Sequence, residues 1–298
     1  MGVRFSQFVA GGYMSQDERT AEYCAHLLTC PICHSSFMQV DQTLKCANAH
    51  SFDIAREGYV NLLLQKRPGD TKEMLRARRD FLEHGLYSPV SARVNDLVRT
   101  HLQPVSGPLH ILDAGCGEGY YLARLQRALA SQPHNCYIGM DSSKEAARMA
   151  AKRYSPVLFV VADIKQRLPL ADASIHAILN IFAPRNPGEF ARITAAGSVL
   201  IVVIPGPQHL LRLRTELRLL NIEEQKQQHV KEQFADQLAF VTSSTISYPV
   251  HLNRHQVEQL VIMTPNYWHQ SHELHQAILN IEEIETEVEC TALVFRRK

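Results

Sequence analysis

From residue 109 onward the chain alternates short apolar runs with stretches of helical period. LHILDA (109–114) has the pattern of a buried strand and runs into Gly115-Cys116-Gly117-Glu118-Gly119. From Tyr120 the apolar positions recur at helical spacing. CYIGMD predicts a second strand ending at Asp141, SSKEAARMAAKRY a helix capped by Ser142 or Ser143, and VLFVVAD a third strand ending at Asp163. DASIHAILNIF (172–182) and SVLIVVIPG (198–206) supply a fourth and a fifth. Apolar strands alternating with helices predict a parallel, doubly wound α/β sheet with helices on both faces. Ligands bind such sheets at the strand C-termini, where Gly115, Asp141, Asp163 and Phe182 fall.

Upstream the period changes. KRPGDTKEMLRARRDFLEHGLY (66–87) predicts one helix from about Thr71 to Glu83, with Asp70 and Glu73 spaced as a capping box and Gly85 as its stop. Met74, Ala77 and Phe81 share a face of it, while Lys72, Arg76 and Arg79 recur on another. With Lys66, Arg67 and Arg78 nearby, that second face suits phosphate contact, although a solvated charged face gives the same pattern.

Before the helix lies CPICHSSFMQVDQTLKCANAH (30–50), a polar stretch with three of the chain's 7 cysteines. Cys30 and Cys33 form a CxxC, and Cys46 and His50 complete four ligands of the kind that closes a tetrahedral zinc site. A closed site is structural, since catalytic zinc keeps a position open for water. A redox CxxC would open a helix after a strand, a context absent here. Cys24 has the wrong spacing to join, and His34 follows Cys33 too closely. So small a module buries little apolar surface, so metal binding would supply its folding energy.

The bulk numbers narrow the classes. A length of 298 residues favours one larger domain with a smaller partner, and 45% hydrophobic content supplies a packed interior. A formal net charge of +1 argues against a uniformly basic nucleic-acid binder, though not against a local cationic face. No run reaches the roughly 20 apolar residues of a membrane helix, and the opening residues lack a secretory core, so no membrane partner and a cytoplasmic location are expected. The odd cysteine count is read as reduced thiols rather than a disulfide framework.

The glycine turn carries the chemistry. A dinucleotide fingerprint needs a third glycine or alanine where this chain has Tyr120, so that reading fails. GxGxG preceded by Asp113 is instead the pattern of class I S-adenosylmethionine (SAM) methyltransferases. There the glycines let backbone approach the cofactor closely, and the acidic group helps hold its polar tail. Asp141 stands where a carboxylate accepts ribose hydroxyls, and Asp163 where an adenine amino group would lie. Cys116 reads as a small buried filler. In NIFAPR, Phe182 is placed to stack on a base and Arg185 to hold a phosphate, unless they are a buried Phe and a solvated Arg.

Taken together, the Cys/His module, FDIAREGYVNLL, ARRDFLEHGLY, DAGCGEGYY, AAKRY, APR and PGPQHL resemble the RlmA family of bacterial 23S rRNA (guanine-N1)-methyltransferases, from Cys30 to the C-terminus. The resemblance implies a class I SAM-methyltransferase Rossmann-like α/β domain with a small N-terminal zinc-binding domain that helps recognise rRNA, and a homodimer. It implies zinc on Cys30, Cys33, Cys46 and His50, SAM contacts at Tyr87, Gly117, Glu118 and His209, and methylation of N1 of a guanine in a 23S rRNA hairpin. The corresponding division is an extension over 1–25, a zinc module over 26–65, a helical linker over 66–100 and the methyltransferase domain over 101–298. Rival readings are a small-molecule methyltransferase braced by zinc and a non-catalytic RNA-binding factor that holds SAM.

Overall fold

The computed structural model describes residues 24–65, 69–130, 134–223, 225–269 and 271–298. The extension expected over 1–25 lies outside these apart from Cys24 and Ala25, which are buried. Lys66 and Arg67, two of the expected RNA contacts, also lie outside them.

The N-terminal module is a three-stranded antiparallel ribbon of β1 (Phe37–Val40), β2 (Thr43–Cys46) and β3 (Ser51–Asp53). FDIAREGYVNLL then turns back through Gly58 so that β4 (Tyr59–Asn61) pairs in parallel with β7 (Leu158–Val161). Its Tyr59–Asn61 segment is thereby an edge strand of the main sheet.

That sheet has eight strands in the order β10-β11-β9-β8-β5-β6-β7-β4. Its parallel part contains β5 (His110–Ala114), β6 (Cys136–Asp141), β7, β8 (Ile175–Ile181) and the start-extended β9 (Thr194–Pro205). The third predicted strand stops at Val161 rather than Asp163, because Asp163 Oδ1 accepts from Lys165 N–H and turns the chain. Two strands beyond the predicted five close the other side: β10 (Leu238–Asn253) and β11 (Glu283–Arg297), antiparallel to each other, with β11 antiparallel to β9.

Both faces of the sheet are covered. On one, Ile111, Leu179 and Ile201 pack with Val94 and Leu97 of α2 (Ser88–His101) and Leu122 and Leu125 of α3 (Tyr120–Ala128). Phe81 of α1 (Lys72–Glu83) enters the same core, so the helices expected as a linker are integral to it. On the other face, Leu112, Ile138 and Ile178 pack with Phe190 of α5 (Pro187–Ile193) and Phe234 of α7 (Lys226–Phe234). Leu28, Phe37 and Leu44 of the zinc module complete that face. The module is tied down by Thr29 N–H to Pro169 O (3.0 Å) and Ala171 N–H to Leu27 O (2.9 Å). Leu28, Phe37 and Leu44 lie in one cluster with the main sheet, so the module shares its core, and burying one such side chain contributes about 2 kcal/mol.

Cys24 and Cys136 are joined as a disulfide, with Cα atoms 5.5 Å apart. This corrects the expectation of reduced thiols throughout. Both residues are buried, where the docked N-terminal segment meets the start of β6, and nothing in local spacing announces a partner 112 residues away.

The predicted cap of α1 also shifts. Thr71 is the N-cap, its Oγ1 accepting from Met74 N–H at 3.1 Å, while Asp70 bonds Arg78. The Ser143 cap of α4 (Lys144–Ala151) stands, with Ala146 N–H 3.2 Å from its Oγ.

Candidate functional site

The metal-type ligands converge. Cys33 Sγ and Cys46 Sγ lie 3.7 Å apart, and His50 Nδ1 is 3.4 Å from Cys46 Sγ and 3.5 Å from Cys30 Sγ. All four ligand atoms lie within 4.8 Å of one another. Zinc–sulfur and zinc–nitrogen bond lengths put sulfurs of a tetrahedron about 3.8 Å apart and sulfur and nitrogen about 3.6 Å apart, so the donor set fits zinc. Two turns present the ligands: His34 N–H donates to Cys30 O, and Ala49 N–H donates to Cys46 O. Hydrogen bonds from the Ser35 hydroxyl and backbone, with Asn48, pull the Cys33 thiol down to about 5, favouring the thiolate a metal needs. The fourth ligand leaves no open position, so the module does no chemistry at the metal.

The second site lies where β5 and β8 diverge, the switch point of the sheet. Gly115 has φ +87°, and a Cβ there would lie 2.4 Å from Ala183 Cβ, so the glycine turn and the NIFAPR turn touch across the crevice. Asn180 fastens the two: its Nδ2 donates to Ala114 O (3.0 Å) and Pro184 O (2.8 Å). Gly117 N–H donates to Asp141 Oδ2 and Ser143 N–H to Asp141 Oδ1, so Asp141 braces the turn while facing the crevice.

Two buried carboxylates, Asp113 and Glu118, meet the half-buried Asp141 here. Burial, reinforced by Asp141 and Glu118, pushes Asp113 up to about 8, and its Oδ2 is buried without a hydrogen-bond partner. Burial likewise lifts Glu118 to about 7 against the pull of Arg78, and raises Asp141 despite its two backbone donors. An orphaned carboxylate oxygen beside a backbone cradle suits a ligand that brings positive charge and hydroxyl donors. The sulfonium, ammonium and ribose of SAM meet that description, so these residues fit the group.

Tyr87, Phe182 and His209 form the next wall. Tyr87 Oη lies 3.1 Å from His209 Nε2, and the Phe182 ring is 6.2 Å from each of their rings. Glu289 N–H donates to His209 Nδ1 at 3.3 Å, and a backbone amide can only donate. His209 is therefore neutral with its proton on Nε2, consistent with burial pulling its pKa down to about 4. Nε2–H donates to Tyr87, which leaves the Tyr87 hydroxyl hydrogen for a ligand. Phe182 holds a left-handed φ of +52° with 41% of its surface exposed, a strained backbone at the mouth of the crevice.

Other predicted contacts are placed less simply. Lys72 and Arg76 are exposed but face Glu145 of α4, and Arg79 pairs with Asp80 at 2.6 Å, so the cationic stripe is partly neutralised. Arg185 donates to Gln233 Oε1 at 3.0 Å. Asp163 sits at the C-terminal end of β7, beyond Asp141 on the neighbouring strand. One residue sequence reasoning misplaced is Arg78, grouped with the outer cationic face. Its Nη1 comes within 3.5 Å of where a Gly117 Cβ would stand. The signal was present, since Arg78 is three residues from Leu75 and four from Leu82, both buried.

Comparison with known proteins agrees with this geometry. The zinc-ribbon family described as RlmA, N-terminal, matches residues 28–68, and a methyltransferase domain family matches 111–197. A 23S rRNA (guanine(748)-N(1))-methyltransferase of Streptomyces fradiae is 36% identical over 245 residues, covering 82% of this chain and 86% of that protein. The chain belongs to the RlmA family. A Micromonospora griseorubida protein named for the same guanine-N1 reaction is 37% identical over 259 residues, 81% of this chain and 87% of its own length. Among solved structures, loganic acid methyltransferase with SAH covers 78% of this RlmA-family chain and 99% of its own, at 13% identity and TM-score 0.54, a likeness of fold alone. As an RlmA-family methyltransferase the protein uses SAM, and its ribbon holds zinc. Among the described residues no helix is long and apolar enough to cross a membrane.

Proposed function

We propose that this chain transfers the methyl group of SAM to N1 of a guanine in a hairpin of 23S rRNA, as a cytoplasmic homodimer. The observation that carries the reading is the pairing of an RlmA-type ribbon with the crevice beside one sheet, matched over 82% of this chain by the named guanine-N1 methyltransferase. Bound SAM supplies an activated methyl group on a sulfonium; the chain's own residues position, desolvate and exclude water. Gly115, Gly117 and Asp113 hold the methionine half, Glu118 and Asp141 the ribose, and Asp163 the adenine. Tyr87 and His209 close the pocket, with the Tyr87 hydroxyl donating inward.

Phe182, exposed and strained at the mouth, takes the face of the flipped guanine. His209 does not remove the guanine N1 proton, because its Nδ1 already accepts from Glu289. Lys72, Arg76, Arg79 and Arg185 line the approach, and the zinc module presents RNA to it. A dimer is supported by exposed Leu211 of α6 (Leu211–Leu217), Leu220, Trp268 and Leu279 of α9 (His272–Leu279), apolar groups that a second copy would cover.

Primer extension across 23S rRNA from a deletion strain and its complemented counterpart tests the activity, since N1 methylation blocks pairing. A stop only in the complemented strain is expected. Equal read-through favours a small-molecule methyltransferase or a non-catalytic RNA-binding factor.

A further inference from the structure

We infer that Arg78 anchors the carboxylate of the methionine half of SAM, and that Asp70 and the Met263 carbonyl hold it ready to do so. This rests on the crevice being the SAM site and names a residue for the part of SAM that the acidic cluster cannot hold. Asp113, Glu118 and Asp141 suit the sulfonium, the ammonium and the ribose hydroxyls, but they repel a carboxylate. An amino-acid carboxylate in this pocket requires a cation.

Arg78 brings one. It projects inward from α1 with 26% of its side chain exposed, and its Nη2 donates to Asp70 Oδ2 (2.6 Å) and Met263 O (2.8 Å). Two partners on one nitrogen fix the plane of the guanidinium and leave Nη1 on the Gly117 side, where the missing Cβ keeps the approach open. The positive φ of Gly117, +54°, is a left-handed backbone that favours glycine at this position. Glu118 and Asp141 act on Arg78 to favour its charged form, so its charge sits beside theirs. The same geometry explains why Asp70 is not the cap of α1: it is spent on Arg78, and Thr71 caps instead. Met263 follows α8 (Arg254–Ile262), so the C-terminal half of the chain holds one side of the anchor.

The test is calorimetry on the full chain with three probes: S-adenosylhomocysteine, its decarboxylated analogue S-adenosyl-3-thiopropylamine, and methylthioadenosine, which lacks the amino-acid part. For Arg78→Met the expected result is a loss of about 10- to 100-fold for adenosylhomocysteine, with the other two probes unchanged within about threefold, as for a charge-assisted pair. Arg78→Lys recovers part of the loss, and Asp70→Asn, which loosens the guanidinium, gives a smaller loss confined to the same probe. Equal weakening of all three probes would make Arg78 a structural residue and overturn the inference, as would unchanged binding of adenosylhomocysteine. Failure of the unmodified protein to bind any of the three would instead overturn the SAM reading itself.

Discussion

Gly115→Ala is a sharp probe of the crevice, because the structure gives two separable costs. The first is backbone: alanine at φ +87° costs about 1–2 kcal/mol. The second is contact, since the new methyl carbon would lie 2.4 Å from Ala183 Cβ, where nonbonded carbons rest about 3.5–4.0 Å apart. The two turns must separate by more than 1 Å, which moves Phe182 and the guanine face it offers relative to the SAM methyl group. Misplacement of that size lowers methyl transfer by about 100-fold. Adding Ala183→Gly removes the second cost and not the first. Single-turnover methylation of a 23S rRNA fragment, with urea denaturation alongside, is therefore expected to show the double variant recovering about tenfold in rate while staying about 1–2 kcal/mol less stable than the parent. If Ala183→Gly recovers no rate, contact between the turns does not set the distance between donor and acceptor.

Binding of SAM should release protons. Asp113 at about 8 and Glu118 at about 7 are largely or half protonated at neutral pH in the donor-free protein, and a cationic ligand favours their ionised forms. Affinity then rises as pH is raised from 6 through 8, more steeply for SAM than for uncharged-sulfur adenosylhomocysteine. Calorimetry in buffers of different ionisation enthalpy measures the release, and affinity that falls or stays level over that range contradicts it. Cys30→Ser is expected to lose zinc and to weaken binding of a 23S rRNA hairpin about tenfold while leaving adenosylhomocysteine affinity within about threefold, as removing a metal ligand should. Equal loss of both, with metal content followed by elemental analysis, removes the division of labour between ribbon and crevice. Leu28→Ala, at the joint between module and sheet, should cost about 2–5 kcal/mol in a single unfolding transition; two transitions would show that the module folds on its own.

The part of the fold legible in the sequence is the part whose strands are buried on both faces. LHILDA, CYIGMD, VLFVVAD and the two later runs stand out because neither face meets water. β10 and β11 do not, since β10 exposes every second residue over much of its length and reads as a polar stretch of Ser and Thr. β4 is only three residues long, and its place beside β7 comes from the tertiary fold. The metal cluster was fully readable because ligand spacing encodes it, whereas the Cys24–Cys136 link joins residues 112 apart. In the crevice, position along the strands marked Asp113, Asp141 and Gly115. The pairing of Asp70 with Arg78 was hidden, because a helix cap and a half-buried ion pair draw on the same short stretch of residues.

The most direct measurement is mass spectrometry of 23S rRNA incubated with the purified protein and SAM bearing a trideuterated methyl group. One 1-methylguanosine per RNA, carrying the three deuterons at a single hairpin position, is the result this structure predicts. Label on another guanine atom, on ribose, or absent from the RNA altogether would contradict it.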